Sequence, residues 1–239
     1  MSKQGKYSRY LEVLEKLGEP LGDWTKGETQ ITTNPKLMKK VEDKLGVPVG
    51  VIDEDQYLIH LRDAVLFPPK KGETEPRLGS YIRLVYTYQL SKNLGISILP
   101  INSDGKMVMN RAYRHAPRHW TIEAAGTIAK QGESHLATVK RCVRDELGCE
   151  VLKAVRLTTH FIPERGLLGG QVPIYAVYVD YKPNRFSDPT VAGHLLMTTQ
   201  QYWKAVSSGK VRRKGVVYLC CDGYTNTAVK LAEMKGLIR

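Results

Sequence analysis

The sequence predicts an α/β fold in which a mixed sheet packs against helices. Short runs rich in β-branched and aromatic residues, bounded by Gly, Pro and Asp, dominate the chain from residue 47 and are typical of strands. One strongly periodic helix lies between two groups of these strands, and another helical pattern closes the chain. Strands on both sides of a central helix favour a layered α/β sandwich.

The first 46 residues have a helical pattern of their own. Apolar residues recur at helical spacing over 5–17 and again over 34–45, and each pattern ends at a glycine. We therefore expect an N-terminal helical extension, a small β segment that could serve dimerisation, and a main domain, over residues 1–46, 47–90 and 91–239.

The main domain contains the clearest helix of the sequence. A turn at Asp104-Gly105 joins two strands ahead of it. Residues 134–148 are predicted to form a helix that Ser134 caps and Gly148 ends. Two later helices are predicted within 198–211 and 224–238. The predicted buried stripe of the central helix consists of Leu136, Val139, Val143 and Leu147.

The amino-acid composition indicates which kinds of partner the protein could bind. The formal charge is +12, which favours polyanionic partners such as nucleotides or nucleic acid, although a merely solvated basic surface would give the same count. None of the four cysteines lies in a CxxC pair, which argues against a zinc framework and favours reduced thiols. The start of the chain has no apolar signal segment, and no apolar run is long enough for a bilayer. We therefore expect a cytoplasmic protein without a membrane partner.

Three carboxylates could form a metal site around the central helix. Asp145 and Glu146 lie near one end of the helix, and Glu133 precedes it next to a loop bounded by glycines. Such a set could hold Mg²⁺ or Mn²⁺, which are hard cations that prefer oxygen ligands. The metal would polarise a pyrophosphate and lower the pKa of an attacking water. Arg141 could orient a carboxylate through a bidentate pair.

This stretch resembles the Nudix box, in which Gly, Glu and an Arg-Glu-apolar-x-Glu-Glu-x-Gly segment follow one another at fixed spacing. Two departures stand out: Gly126 lies one residue further from the glutamate than in the family, and Cys142 occupies the place of the first helical glutamate. The residues that match from the glutamate onward are Glu133, Arg141, Val143, Asp145, Glu146, Gly148 and Cys149.

The resemblance continues on both sides of the box and covers about residues 60–239. The preceding segment is similar to ADP-ribose and nucleoside-diphosphate-sugar pyrophosphatases, and 207–234 is similar to the end of that subfamily. The matching residues of the preceding segment are Arg111, Tyr113, Arg114, His115, Glu123, Ala125 and Gly126.

The resemblance implies a Nudix-type α/β/α sandwich and a Mg²⁺- or Mn²⁺-dependent hydrolase. It would cleave the pyrophosphate bond of a nucleoside diphosphate linked to another group, and would work as a homodimer. The implied metal ligands are the Ala125 carbonyl, Glu133, Asp145 and Glu146. The implied catalytic residues are Glu146, Asp145, Arg141 and Glu164. Glu164 is the only carboxylate in the loop where the family places a further catalytic glutamate, although Gln171 is nearer to the expected position. The substrate is expected to contact Arg111, Arg114, His115, Trp120 and Gly126.

Cys142 leaves a second hypothesis open, because a thiol is a soft ligand that Mg²⁺ disfavours. In that hypothesis a catalytically impaired module binds nucleotide or RNA without cleaving it. The basic run over 210–214 could contact RNA phosphates, although most such runs face solvent. A third hypothesis is that the helical extension 1–46 docks a partner protein.

Overall fold

The computed structural model describes residues 7–164, 166–182, 186–220 and 222–239. Cys221 and the predicted start of the first helix at residues 5 and 6 lie outside this part of the chain. Two compact units are present, one of residues 1–92 with 164–170 and one of residues 93–163 with 171–239. The sequence-based boundaries at residues 46 and 90 stay predictions.

The N-terminal unit consists of helices packed on a small antiparallel sheet. Strand β3 pairs with β1, β2 and β4. Helix α2 begins where predicted, because the Asn34 side chain accepts a hydrogen bond from the Lys36 amide at 2.9 Å and Pro35 occupies the first turn. The helices are α1 (Ser8–Leu17) and α2 (Pro35–Leu45), with short 3-10 turns at Trp24–Lys26 and Thr87–Ser91. The strands are β1 (Gln30–Ile31), β2 (Gly50–Glu54), β3 (Leu58–Phe67) and β4 (Arg77–Tyr86).

A buried polar network ties α1 to the sheet of this unit. The Tyr10 hydroxyl donates to Asp63 Oδ1 at 2.6 Å, and Arg83 Nε donates to Asp63 Oδ2 at 2.5 Å. Arg83 also donates to Glu19 at 2.7 Å. The Asp63 carboxylate is almost fully buried, and its cost of burial is offset by these two donors.

The C-terminal unit contains a mixed sheet. Among the described residues it has nine strands in the order β12-β13-β7-β6-β5-β10-β9, with β11 paired to β6 and β8 paired to β5. The pairs β5–β10 and β7–β13 are parallel, and the others are antiparallel. The strands are β5 (Gly95–Ile101), β6 (Met107–Arg114), β7 (His119–Glu123), β8 (Ala125–Ile128), β9 (Val151–Phe161), β10 (Val172–Val179), β11 (Val191–Met197), β12 (Lys210–Arg213) and β13 (Val216–Leu219). The helices are α3 (His135–Leu147), α4 (Thr199–Ser208) and α5 (Gly223–Met234).

Helices cover both faces of this sheet. Alternate residues of β5 and β10 point to opposite faces, as strand geometry requires. Ile96 and Ile98 pack with α3, whereas Leu99 and Ile101 pack with α4 and α5. The predicted α/β sandwich with a mixed sheet is therefore confirmed.

Helix α3 forms as predicted, and Val139, Val143 and Leu147 of its predicted stripe are buried. The Ser134 hydroxyl accepts a hydrogen bond from the Ala137 amide, and Gly148 ends the helix in the left-handed conformation at φ 65°. Leu136 was predicted to be buried and is 50% exposed, which makes that prediction wrong. Instead, Cys142 and Glu146 belong to the buried side of the helix.

Gly126 lies within a strand, whereas the sequence predicts that a strand ends there and a glycine-bounded loop begins. It belongs to β8 and pairs with Ser97 of β5. The bent segment begins only after Ile128, because β8 continues the sheet to that residue. Within the described residues, every helix is too short or too polar to cross a membrane.

Candidate active site

Glu146 lies near the C-terminal end of α3 and faces the sheet. Its Oε2 accepts a hydrogen bond from Asn110 Nδ2 of β6 at 2.5 Å. Its Oε1 accepts from the Gly126 amide of β8 at 3.4 Å and from the Cys142 thiol at 3.2 Å. The side chain is buried, so two strands and one helical turn fix its position.

Burial changes the acidity of this carboxyl group. Loss of solvation raises the pKa of Glu146 to about 7, and the hydrogen bonds from Cys142 and Asn110 offset only part of that effect. Carboxyl groups with a pKa near neutral pH occur more often at functional sites than elsewhere in proteins. Burial also raises the pKa of the Cys142 thiol, which is therefore neutral at physiological pH.

Arg141 and Glu133 form a bidentate pair, so Glu133 is the carboxylate that Arg141 orients. Arg141 Nε lies 3.0 Å from Glu133 Oε1, and Arg141 Nη2 lies 2.9 Å from Glu133 Oε2. Oε2 also accepts from the Lys130 amide and the Thr138 hydroxyl. The pair with Arg141 lowers the pKa of Glu133 to about 2. Because both oxygens are already occupied, Glu133 is better suited to orienting Arg141 than to binding a metal directly; its predicted role as a ligand stays a prediction.

Asp145 is the most accessible carboxylate of the group. Its side chain is 46% exposed, and its nearest cation is Arg141, 3.9 Å away. Its backbone carbonyl accepts hydrogen bonds from the amides of Ser187 and Asp188 at 2.8 and 2.9 Å. The segment that follows residue 185 is thereby tied to the end of α3.

A second buried carboxylate, Glu123, lies on the same face of the sheet as Glu146. Glu123 is opposite Asn110 in the pairing of β6 with β7. It is bound by two donors of Arg114 and by the Thr121 hydroxyl. Half of the Arg114 side chain remains exposed, so its guanidinium can also meet a ligand. Glu123 is among the residues that carry the resemblance, which implies no role for it.

The predicted substrate-binding residues are divided between the two faces of the sheet. Arg111 and Trp120 point away from Glu146: Arg111 donates to the Tyr218 hydroxyl at 3.3 Å, and the Trp120 ring meets the Tyr218 ring edge-on at 6.1 Å. His115 lies in the β6–β7 turn, where its ring nitrogen is 3.1 Å from Arg118 Nη1. The structure therefore brings Arg114 close to the Glu146 network, but not Arg111 or Trp120.

Two other predicted residues have simple placements. Ala125 is buried in β8 opposite Ile98, directly before the amide that contacts Glu146. Glu164 belongs to the other compact unit, where its carboxylate accepts from the Gly166 amide at 2.8 Å. Its assignment as a catalytic residue stays a prediction.

Sequence reasoning missed Asn110 and His194. Asn110 holds Glu146, and His194 Nε2 is 2.8 Å from the Glu146 carbonyl oxygen. Asn110 is a buried polar residue directly after the apolar run 107–109, and His194 is the one polar residue with a titratable side chain in β11. A polar side chain in such a setting signals a specific partner. The partner itself becomes visible only once the strands are paired.

A magnesium ion at this site would have to be bound together with substrate. Within the described residues, no three His, Cys, Asp or Glu side chains gather as ligands. Mg²⁺ commonly uses one or two carboxylates and completes its shell with water and substrate phosphate. Glu146 and Asp145 would be the candidates for such a pair, because they follow one another near the end of α3. The buried Asn110 Oδ1 beside Glu146 lacks a hydrogen-bond partner in the described structure, as an acceptor next to a hydrated cation would.

Comparison with known proteins supports the fold at low sequence identity. No model of a known protein family and no curated protein sequence matches this chain. Among solved structures, an ADP compounds hydrolase matches with a TM-score of 0.60 and 13% identity, covering 80% of this chain and 95% of that chain. The chain therefore has the α/β fold that this hydrolase also has.

Proposed function

We propose that the protein is a metal-dependent hydrolase that cleaves the pyrophosphate bond of a nucleoside diphosphate linked to another group. ADP-ribose and nucleotide sugars are the substrates to which the resemblance points. The observation that carries the proposal is Glu146, a buried carboxyl group with a pKa near 7, adjacent in sequence to the exposed Asp145. The fold shared with an ADP compounds hydrolase supports it.

Glu146 and Asp145, with the Ala125 carbonyl, are the groups that would hold Mg²⁺ or Mn²⁺. The bound metal would supply Lewis acidity to a phosphoryl oxygen and to the attacking water. Asn110 and the Gly126 amide keep the Glu146 carboxylate oriented between the strands. Because the group must be ionised to hold a cation, activity should rise as Glu146 loses its proton around neutral pH.

Two arginines on this face of the sheet would have different roles: Arg141 positions helix α3, and Arg114 would position the substrate. Arg141 donates to Glu133 and also to the Ile128 carbonyl at 2.8 Å, which connects α3 to the end of β8. This keeps the helix at a fixed distance from the Gly126 backbone. Arg114 remains partly exposed beyond its pair with Glu123 and could contact a phosphate of the substrate.

The proposal is tested by incubating the protein with ADP-ribose, nucleotide sugars and dinucleoside polyphosphates at varied Mg²⁺ and Mn²⁺. We expect Glu146→Gln to lower kcat/KM by more than about 100-fold, beyond the loss typical of a residue that only supports a metal ligand. Glu150→Gln is the matched control, because Glu150 is an exposed glutamate just after the same helix. Equal turnover in wild type and Glu146→Gln would refute the assignment.

One contact favours a second candidate function, in which the protein binds the nucleotide without cleaving it. The Cys142 thiol occupies the position of a family carboxylate and donates to Glu146 Oε1, so it removes one oxygen ligand and occupies another. In this case ADP-ribose would raise the melting temperature of the protein without product formation. Cys142→Glu should then restore turnover, and Cys142→Asp gives a smaller carboxylate in case the larger one prevents folding. Absence of both binding and turnover would refute this candidate as well.

A further inference from the structure

Two stretches of the sequence carry cations without acidic residues. Residues 105–122 contain four Lys or Arg and no Asp or Glu. Residues 189–221 contain five Lys or Arg and again no Asp or Glu. The structure pairs these stretches, because β7 lies parallel to β13 with Trp120 opposite Tyr218. Parallel neighbours begin at the same end of a sheet. The turn that precedes β7 and the turn that precedes β13 are therefore adjacent.

Each of these two turns holds a basic residue in an unfavourable backbone conformation. Arg118 has φ 57° and Lys214 has φ 46°, both in the left-handed region where glycine or asparagine is usual. Strained non-glycine residues are enriched at binding sites. At both positions the chain has a cationic side chain where a glycine would cost less conformational energy.

A cavity next to the second turn is lined by further cations. It has a volume of about 410 Å³ and lies between α4, β11 and β12. Lys204, Lys210, Arg212 and Arg213 line it, and all four are exposed. No Asp or Glu lines the cavity, and within the described residues none of the four forms an ion pair. Such a concave cluster of one sign concentrates anions.

A row of aromatic rings runs across the sheet towards this cavity. Tyr113 meets Trp120 edge-on at 5.7 Å, and Trp120 meets Tyr218 at 6.1 Å. Tyr218 is paired in turn with Val211, which lines the cavity. Tyr113 is 48% exposed, so part of its ring is free for stacking. The exposed ring of Tyr113 on β6 is separated from β12 by β13 and β7. A ring for stacking and a cationic groove on one face are the two elements of sites that bind single-stranded nucleic acid.

We propose that a basic surface on the α4 side of the sheet binds single-stranded nucleic acid. The phosphates contact its cations, and one base stacks on Tyr113. This surface is separate from Glu146, which belongs to α3 on the opposite side of the sheet. The proposal therefore does not depend on hydrolase activity. The basic surface consists of Arg118, Lys204, Lys210, Arg212, Arg213 and Lys214.

The test measures anisotropy of labelled 12-nucleotide oligo(U) and oligo(dT) with the full chain between 50 and 300 mM KCl. Loss of two phosphate contacts in Arg212→Gln/Arg213→Gln should weaken binding about tenfold at 150 mM and reduce the log–log salt slope by about 1.4. The control, Lys36→Gln/Lys40→Gln, removes the same charge from exposed positions of α2 and should change affinity less than about twofold. The two oligonucleotides show whether the sugar 2′-hydroxyl contributes.

Two more variants separate stacking from charge and from the active site. Tyr113→Ala should weaken binding at least about fivefold and leave the salt slope unchanged. Glu146→Gln should bind as the wild type does. Circular dichroism melting checks that each variant is folded. Equal losses in the test pair and the control pair would assign binding to net charge and overturn the proposal. It would also be overturned by a protein that binds anionic phosphatidylserine vesicles but neither oligonucleotide at 50 mM KCl.

Discussion

The Cys142 thiol lies one helical turn before Glu146 and donates a hydrogen bond to its Oε1 across 3.2 Å. Both side chains are buried, and the other partners of the carboxylate are the Asn110 amide and the Gly126 backbone amide. All of these donors are neutral. The negative charge is therefore stabilised by dipoles alone, which is why burial dominates the pKa of Glu146.

The raised pKa predicts a specific dependence of stability on pH. The folded protein holds the Glu146 proton up to a pKa of about 7, whereas the unfolded chain releases it near the ordinary value of 4.5. Between these values the folded state binds more protons, so the free energy of unfolding falls as pH rises, by up to about 3 kcal/mol. Urea unfolding from pH 4.5 to 8 should show this decline in wild type and a smaller one in Glu146→Gln. Parallel curves for the two proteins would contradict the assignment.

Mg²⁺ should bind well only together with a diphosphate ligand. Within the described residues no three acidic, His or Cys side chains gather as ligands, so a substrate phosphate would have to complete the coordination shell. We expect Mg²⁺ with a non-hydrolysable methylene analogue of ADP-ribose to raise the melting temperature by more than the sum of the separate effects. At a ligand concentration of about 100 times Kd, binding stabilises the folded protein by about 2.7 kcal/mol. Glu146→Gln should remove the extra shift and Glu150→Gln should retain it; a full shift with Mg²⁺ alone would indicate a preformed metal site instead.

Asp63 should be a major determinant of the stability of the N-terminal unit. Asp63→Asn would leave the part-buried Arg83 guanidinium with Glu19 as its remaining carboxylate, and breaking a pair whose carboxylate is buried costs about 3–5 kcal/mol. Asp53→Asn on the neighbouring strand changes an exposed carboxylate and should cost less than about 0.5 kcal/mol. Denaturant unfolding of both variants gives the comparison. A loss below 1 kcal/mol for Asp63→Asn would show that Tyr10 and Arg83 find other partners.

Gly126→Ala should disturb the support of Glu146. A Cβ at Gly126 would lie 3.2 Å from the Ile96 carbonyl oxygen, and overpacking of this kind costs about 1–3 kcal/mol. Movement of the strand would also carry the Gly126 amide away from Glu146, which should raise the pKa of the carboxyl group further. In Gly223→Ala the new Cβ is 3.9 Å from the Phe161 ring, so this variant should be at least as stable as wild type. If the two variants melt alike, β8 adapts without strain.

The sequence predicted the secondary structure of the active-site face well, because local signals define it. Ser134 and Gly148 mark the ends of α3. A bidentate pair of Arg141 with a carboxylate was expected, but its partner Glu133 is identified only by the structure. The prediction for Leu136 was wrong. Helical periodicity shows which face of the helix is apolar, but not how far the neighbouring sheet extends along that face. Gly126 was misplaced because a glycine marks a bend and a close backbone contact equally well.

The site itself could be predicted only in part. Asn110 reaches Glu146 from a strand 36 residues away, and no local pattern specifies that contact. Strand alternation did contain one usable signal: Arg111 and Arg114 are three residues apart on β6 and must point to opposite faces. Grouping them as neighbours in one substrate pocket followed their proximity in sequence rather than the geometry of a strand.

Strand β12 ends the sheet, and its outer edge has no strand partner among the described residues. Free backbone amides and carbonyls along such an edge can pair with the same strand of another molecule and begin aggregation. Three of its four residues are Lys or Arg, whose mutual repulsion between molecules opposes that pairing. Neutralising Lys210, Arg212 and Arg213 together should therefore make the protein self-associate at high concentration, even where the folded monomer is as stable as before.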